Sequence, residues 1–460
     1  MNMKTIFSHS TALSALAVVI YLTSASDSFA ENISNALVKA YQSNPTLLSG
    51  QATLRSTDEG LSQALSGWRP SLNATASTSS KQFDNSSTRN TTHINPRTIT
   101  LDVSQSLYAG GKTTAAISSA ENAIKAQRAR LISTEQNVLL GATTAYLNVL
   151  RDQHVLDLNV QNERILKRHL EATQNRFNVG EITKTDVYQA RSRLAGATSA
   201  RIQAEGTLAS SRANYVNLIG EAPEKLEPAA LPLMLPKTLD EALKTANERN
   251  PIVMAAVYDE RVAADSIDTA RGSLMPSIDL TGSANRSLDT ISKNYWSNAM
   301  EAKVTLSVPL YQSGTVYSQL RQARQLASAS RLATAQARRD ATESVRKEWQ
   351  NLQATRARIE SIKSQVLAAN TALEGVNREA NAGSRTVLDV LDSEQELLNA
   401  EVNLVTSQRD EQVAALTLLS AEGKLTAIDL NLSVDLYDTD RHYQNVQGKW
   451  FGANIGAKSN

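Results

Sequence analysis

A mainly α-helical fold that also carries a few membrane-type β-strands is what this sequence predicts, and three observations predict it. The chain repeats itself almost end to end. Each copy holds a proline-free stretch of about 68 residues, Gly111 to Asn178 and Gly314 to Asn381, rich in the helix formers Ala, Gln, Arg, Glu and Leu. Ahead of each stretch lie two runs that alternate apolar with polar residues, the pattern of a strand with unlike faces.

The duplication is the strongest of the three. Arg176 to Gly220 superposes without gaps on Glu379 to Gly423 at a shift of about 203 positions, Gly180 on Gly383, Asp186 on Asp389 and Gly220 on Gly423. Ile33 to Ser77 matches Leu239 to Ser283 at a shift of about 206, with Asn44-Pro45 on Asn250-Pro251 and Arg69-Pro70 on Met275-Pro276. Leu107 to Gly111 falls on Leu310 to Gly314, back at about 203. The shift therefore changes between Ser77 and Ile99, where a surface loop would absorb it. Residues 31–222 and 238–423 read as two repeats, separated by a Pro-rich linker over 223–237 and followed by a C-terminal segment over 424–460.

Within the first repeat, Ile33 to Tyr41 predicts a short amphipathic helix. Thr46 to Trp68 predicts a second, with Leu47, Leu54, Leu61 and Leu65 on one side and Pro70 as its stop. Two strands follow near 70–108. Leu72 to Gln82 alternates weakly; Arg97 to Leu107 sets Ile99, Leu101, Val103 and Leu107 against Thr98, Thr100, Asp102, Ser104 and Ser106. The second repeat, near 276–311, is cleaner, with Ile278, Leu280, Gly282 and Ala284 on one strand and Ala302, Val304, Leu306, Val308 and Leu310 on the other. Phe83 to Pro96 and Ser287 to Asn298 read as polar loops between paired strands. The runs are about as long as a tilted membrane strand, although a half-buried hairpin of a soluble protein would show the same alternation.

A helix of about 68 residues is about 100 Å long and has no place in a compact globule. It needs neighbours of similar length. The helix that returns after Gly180 or Gly383 supplies one, giving hairpins over 111–220 and 314–423. In the second, Val345, Trp349, Leu352, Ile359, Ile362, Val366, Leu373 and Val376 step by threes, fours and sevens, close to a coiled-coil seam. Pro223, Pro228, Pro232 and Pro236 mark the linker as stiff and extended, and the period is lost after Gly423.

Met1 to Ala30 reads as a secretory signal, with Lys4, an apolar stretch from Ala12 to Leu22 and small residues in Ser28-Phe29-Ala30, so the mature chain is expected to begin at Glu31. Composition narrows function further. The 460 residues include no cysteine, which removes disulfides, thiolate metal sites and a cysteine nucleophile together. The five histidines lack ligand spacing, and the four beyond the signal read as solvated surface residues. A formal net charge of +1 does not suggest a nucleic-acid partner. No acid/base pair, nucleophile elbow, cofactor motif or metal motif stands out, so an enzyme is not expected. No later run of about 18 apolar residues offers a transmembrane helix.

Four membrane strands cannot close a barrel, and an open edge in lipid leaves backbone groups unpaired at several kcal/mol each. Closure therefore needs several copies: two give eight strands with a side-chain-filled interior, three give twelve and room for a lumen. The rival reading is a secreted coiled-coil structural or adhesive protein that never conducts. It accounts for the helices but not for strands repeated at matching places.

These residues also carry a resemblance. The duplicated RFNVGEITKTDV and AGSRTVLDVLDSEQELLNAE turns, the RPSL and MPSI strand openings, and the LYAGG and LYQSG exits resemble the TolC family of outer-membrane efflux and secretion channels, in particular its BepC-type branch. The resemblance spans nearly the whole mature chain. It implies a homotrimer with a 12-stranded barrel in outer-membrane lipid, an α-helical tunnel through the periplasm and an equatorial belt that includes the C-terminal segment. It implies docking of a periplasmic adaptor and an inner-membrane pump of RND or ABC type. Toxic small molecules such as drugs, dyes, detergents and bile salts, or proteins, would be exported with no chemistry done by the channel.

By position, the resemblance implies that Asp389 and Asp392 form the acidic constriction, although Asp389 would also suit a helix start. It implies a tip latch between Asp186 and Arg385, altered here because the family's tyrosine is replaced by Ala380, and adaptor-docking turns at Gly180 and Gly383.

Overall fold

The computed structural model describes residues 31–85, 90–228, 231 and 233–454; the secretory signal read over 1–30 lies outside them. Helices α1 (Ile33–Ser43) and α2 (Pro45–Leu65) meet at Asn44, whose carbonyl oxygen side chain accepts from the Thr46 N–H at 2.9 Å. The same joint recurs between α5 (Leu239–Arg249) and α6 (Pro251–Gly272), where Asn250 accepts from Ile252 and Val253. Each proline sits at the first helical position, where a missing N–H costs nothing. A single 3-10 turn, Ser66–Trp68, ends α2 before Pro70.

Strands β1 (Ser71–Thr78), β4 (Arg97–Tyr108), β5 (Ser277–Leu288) and β6 (Trp296–Ser307) form one antiparallel sheet in the order β1-β4-β5-β6. Its register joins the two repeats into one surface. On one face the rows run Leu72–Val103–Gly282–Ala302 and Ala74–Leu101–Ala284–Met300, continued by Leu280–Val304 and Ile278–Leu306. On the other they run Ser71–Ser104–Thr281–Lys303 and Asn73–Asp102–Ser283–Glu301. The apolar face is bare: Leu72 is 66% exposed, Val304 63% and Met300 90%. Among the described residues β1 and β6 each leave one edge unpaired.

The sheet departs from the expected strands in three places. The first run breaks at Ser79-Ser80, and the segment expected to be a polar loop instead forms a second hairpin, β2 (Lys81–Asn85) with β3 (Asn90–Ile94). Phe83, Thr91, Thr92 and Ile94 have the branched or aromatic side chains that favour strands, and Thr91 adds a hydroxyl bond to Asp84 at 2.8 Å. The loop expected over Ser287 to Asn298 shrinks because β5 reaches Leu288 and β6 begins at Trp296; Asp289 and Asn294 turn the chain at positive φ. Val308 to Leu310 leaves the sheet, since Pro309 has no N–H for a ladder.

The long helices match expectation to within a residue or two. α3 (Lys112–Asn178) and α7 (Thr315–Asn381) each have 67 residues, and their return helices α4 (Lys184–Ile219) and α8 (Val387–Glu422) each have 36. At the exit from β4, Gly110 comes so close to α6 that an added Cβ would lie 2.4 Å from the Gly272 carbonyl oxygen. The helices stand side by side as a wall. Near the sheet the order is α2–α3–α6–α7; toward the hairpin tips it is α4–α3–α8–α7.

A core of Leu37, Leu54, Leu139, Tyr146, Tyr215 and Leu425 fixes the belt at mid-height. A fully buried leucine there stabilises by about 1.5–3 kcal/mol relative to an exposed one. The described residues of the linker form no helix, and they are tied to the rest of the chain. Leu226 bridges Glu31, Tyr146 shares its hydroxyl between the Glu31 and Glu227 carbonyls at 2.8 and 2.7 Å, and Leu233 and Leu235 pack on both cores. The C-terminal segment also holds a helix the lost period did not predict, α9 (Thr439–Gln447), capped by Asp438 and anchored by Val446. Nine residues give too few turns for periodicity to register.

Candidate functional site at the hairpin tips

Both tips are built the same way from the same residue types. At the end of α3 the Gly180 N–H donates to the Phe177 carbonyl at 2.9 Å and the Glu181 N–H to that of Arg176 at 3.0 Å. At the end of α7 the Gly383 and Ser384 N–H groups donate to Ala380 and Glu379 at 3.1 and 3.0 Å. This wrap closes a helix over a left-handed residue, and both glycines sit there, at φ +82° and +81°. An added Cβ at either would touch nothing within 4 Å. The demand for glycine is thus one of backbone conformation: a side chain there would bring strain rather than crowding.

The next helix then starts on a reciprocal cap. Asp186 accepts from the Thr183 N–H at 2.9 Å while Thr183 caps the Asp186 N–H. Thr386 and Asp389 do the same, at 2.9 Å for the Thr386 N–H and 2.7 Å for its hydroxyl. Those bonds hold the Asp389 carboxyl below the usual carboxylate range. The threonine-x-x-aspartate spacing in both copies was the available sequence signal for this cap.

Asp392, one turn further along α8, forms an ion pair with Arg193 of α4. Arg385 pairs with Glu379 across its own turn at 2.9 Å. Its counterpart turn is braced with the charges reversed, Arg176 before it and Glu181 after it, at 3.0 Å. Within one chain, then, Asp186 and Arg385 each have a local partner and are not paired with each other, and Asp389 and Asp392 share a helix face with different partners.

Behind the tips the two hairpins are fastened together. Leu166, Ala190, Ala197 and Leu391 form a small core from α3, α4 and α8. Beside it His169 Nε2 lies 2.9 Å from Glu394 Oε1. The Glu394 carboxylate raises the His169 pKa, against an opposing push from burial. His442 likewise lies 3.0 Å from the buried Asp58. These two histidines correct the expectation of solvated surface residues. Asp58 sits on the Leu47–Leu54–Leu61 stripe of α2, and a carboxylate on a buried face was the signal that a partner was needed. Among the described residues no cluster of His, Asp and Glu could hold a metal ion.

Comparison with known proteins agrees with this architecture. A family described as "Outer membrane efflux protein" matches residues 36–221 and 242–424, one segment in each repeat. The outer membrane efflux protein BepC of Brucella suis is 32% identical over 424 residues, 92% of each chain. The outer membrane protein TolC of Escherichia coli is 28% identical over 87% of this chain and 84% of its own. Among solved structures, CusC superposes with a TM-score of 0.77 at 18% identity over 86% of this chain and 92% of its own. The Campylobacter jejuni CmeC outer membrane channel superposes with a TM-score of 0.79 at 15% identity, covering 91% and 89%.

Proposed function

The chain belongs to the outer membrane efflux protein family, and from that premise we propose that three copies close into a channel running from the outer membrane through the periplasm. It is an outer-membrane protein of the TolC type, a group whose relatives include an efflux protein and the alkaline protease secretion protein AprF of Pseudomonas aeruginosa. Our reading of its work is export without chemistry: drugs, dyes, detergents, bile salts or proteins pass along the tunnel. An inner-membrane pump and a periplasmic adaptor that docks on the turns at Gly180 and Gly383 drive them.

The observation that carries the reading is the sheet. Its apolar rows form one bare face across all four strands and its polar rows the other, while two edges wait for partners. Lipid outside and water inside satisfy both faces, and only further copies satisfy the edges. A non-conducting coiled coil would leave that face exposed to water.

In this channel Asp389 and Asp392 ring the tunnel at its tip as the acidic constriction. Asp186 and Arg385, from neighbouring hairpins, contribute to its closure once Arg385 exchanges Glu379 for Asp186. Mass determination in detergent and conductance in planar bilayers test the proposal together. The expected result is a trimer that forms cation-preferring pores; a stable monomer without membrane association would refute it.

A further inference from the structure

The duplication leaves one face of α7 bare where the matching face of α3 is covered. The two helices begin and end in the same register, so Arg128 corresponds to Arg331. Arg128 grips the C-terminal helix: its guanidinium donates to the Thr439 carbonyl at 3.3 Å, lies 2.7 Å from Asp440 and stacks 5.4 Å over the Tyr443 ring. Arg331 has no such cover and is exposed. It belongs to a stripe: Arg324, Arg331 and Arg338 recur at heptad spacing, and Arg321, Arg339 and Arg346 widen it. None of the six forms an ion pair among the described residues. Six guanidinium groups along about 38 Å of helix repel one another. Glu343 lies within a turn of Arg339 and Arg346, but Arg324, Arg331 and Arg338 have no acid three or four residues away on α7, and that line calls for a counter-charge from outside it.

The fold fixes where that charge would come from. Ala323, Thr334 and Ala341 bury the adjoining flank of α7, about 60–80° around the helix from Arg331, and the Thr334 hydroxyl donates to the Ala256 carbonyl of α6 at 3.1 Å. Arg331 and Trp349 are separated by about five helical turns and share one line along α7, and Trp349 is packed against the core that α5 covers. The stripe therefore faces the belt side of the wall. α9 lies on that same side, because the segment leading to it meets α1, the repeat counterpart of α5: the Tyr437 N–H donates to the Tyr41 hydroxyl at 3.2 Å. It sits on α2, at the far edge of the wall from α7 and at the height of Arg128. When wall edges meet between copies, the α2 edge of one carries α9 to the height of Arg331 on the next. Asp435 and Asp438 are exposed just ahead of it.

We propose that Asp435 and Asp438 of each copy clasp the Arg324–Arg331–Arg338 stripe on α7 of the next copy, fastening the ring from outside the wall. The clasp rests on the reading that copies close into a ring. It commits to a second copy of this chain as the occupant, on charge complementarity and matched height.

The test uses the full chain, which has no cysteine of its own. Arg331→Cys with Asp435→Cys, treated with a short bis-maleimide, is expected to link copies into dimers and trimers. Arg378→Cys at the tip paired with Asp435→Cys is expected to give none. Separately, Arg331→Glu with Arg338→Glu should speed subunit dissociation by at least tenfold, and adding Asp435→Lys, which leaves the Asp438 cap of α9 in place, should recover a substantial part of it. An intact trimer that neither cross-links at this pair nor loosens on charge reversal overturns the clasp and leaves the ring standing. Loosening that Asp435→Lys cannot recover also overturns it, and identifies another anionic occupant, such as lipid. Absence of any trimer in the unaltered chain overturns both readings.

Discussion

The orientation of the sheet makes a sharp prediction at Leu101. Strand β4 has 12 residues, about 40 Å of chain at the usual rise and about 30 Å of membrane depth at barrel tilt. Leu101 lies near its middle, on the Ala74–Leu101–Ala284–Met300 row of the apolar face. Its neighbour Thr100 lies at almost the same depth on the polar face, between Thr75 and Asn285. A lysine facing lipid at the midplane costs about 2–4 kcal/mol. Three copies make that about 6–12 kcal/mol per barrel, since the sites are far apart and their costs add. The same lysine facing a watery lumen costs about 0–1 kcal/mol, comparable to an interfacial site. Leu101→Lys and Thr100→Lys should therefore part company in a urea titration of folding into lipid vesicles, read by the heat-dependent gel shift of the folded barrel. The leucine variant should fold poorly or unfold at much lower urea, while the threonine variant tracks the unaltered protein. Equal behaviour, or the reverse order, would refute the assignment of faces and with it the barrel.

At the tip, Asp389→Asn with Asp392→Asn should lower cation preference in planar bilayers and weaken block by a trivalent cation, because crowded carboxylates are what attract such ions. Unchanged selectivity in an intact trimer would show that these acids only cap α8 and hold Arg193. Gly180→Val with Gly383→Val forces a β-branched residue into a left-handed turn at about 1–2 kcal/mol per site; export assays should show loss of transport with the trimer preserved, and normal export would end the docking role. Asp186→Asn should leave selectivity nearly unaltered while raising the fraction of time single channels stay open, if Arg385 uses it for closure; an unchanged open fraction removes the latch. The His169–Glu394 contact predicts a pH dependence. His169 is raised above its unfolded value of about 6.5, so the stability it adds is fully present below that pH and fades as pH climbs through the raised native value. The melting temperature of the unaltered protein should thus fall relative to His169→Gln as pH rises from about 6.5 through the raised native value, and parallel curves would discount the pair.

How much of this was legible in the sequence depended on scale. The long helices announced themselves because about 68 residues without proline leave no other fold, and glycine at each end marks the stop. The four sheet strands followed from alternation, yet their ends did not: hydrogen-bond partners, not side-chain pattern, decided that β5 and β6 extend and that Pro309 ends pairing. The β2–β3 hairpin is hard to read because its strands have only five residues each and carry one large apolar side chain apiece, Phe83 and Ile94, too few to set up an alternation. At the tips the acids and glycines could be named from spacing and resemblance. Which partner each acid takes could not, since Arg193 and Asp392 are about 199 positions apart and meet only through the α4–α8 contact. The partner of His169 is hidden for the same reason, since the burial of Glu394 is a property of the assembled wall, whereas for His442 only the partner's identity is hidden, because Asp58 shares the apolar stripe of α2.

The reversed charges at the two turns have a consequence for symmetry. In the proposed trimer three copies of a duplicated chain would present six tips in near-sixfold arrangement, but the turns alternate: Arg176 leads to Glu181 in one kind, Glu379 to Arg385 in the other. A docking ring that reads only shape finds six equal seats and can settle in any of them. A ring that reads charge finds two kinds of seat about 60° apart and is confined to every second one. In the proposed ring, duplication would set the number of contacts, and the unlike charges of the two turns would give that number a direction.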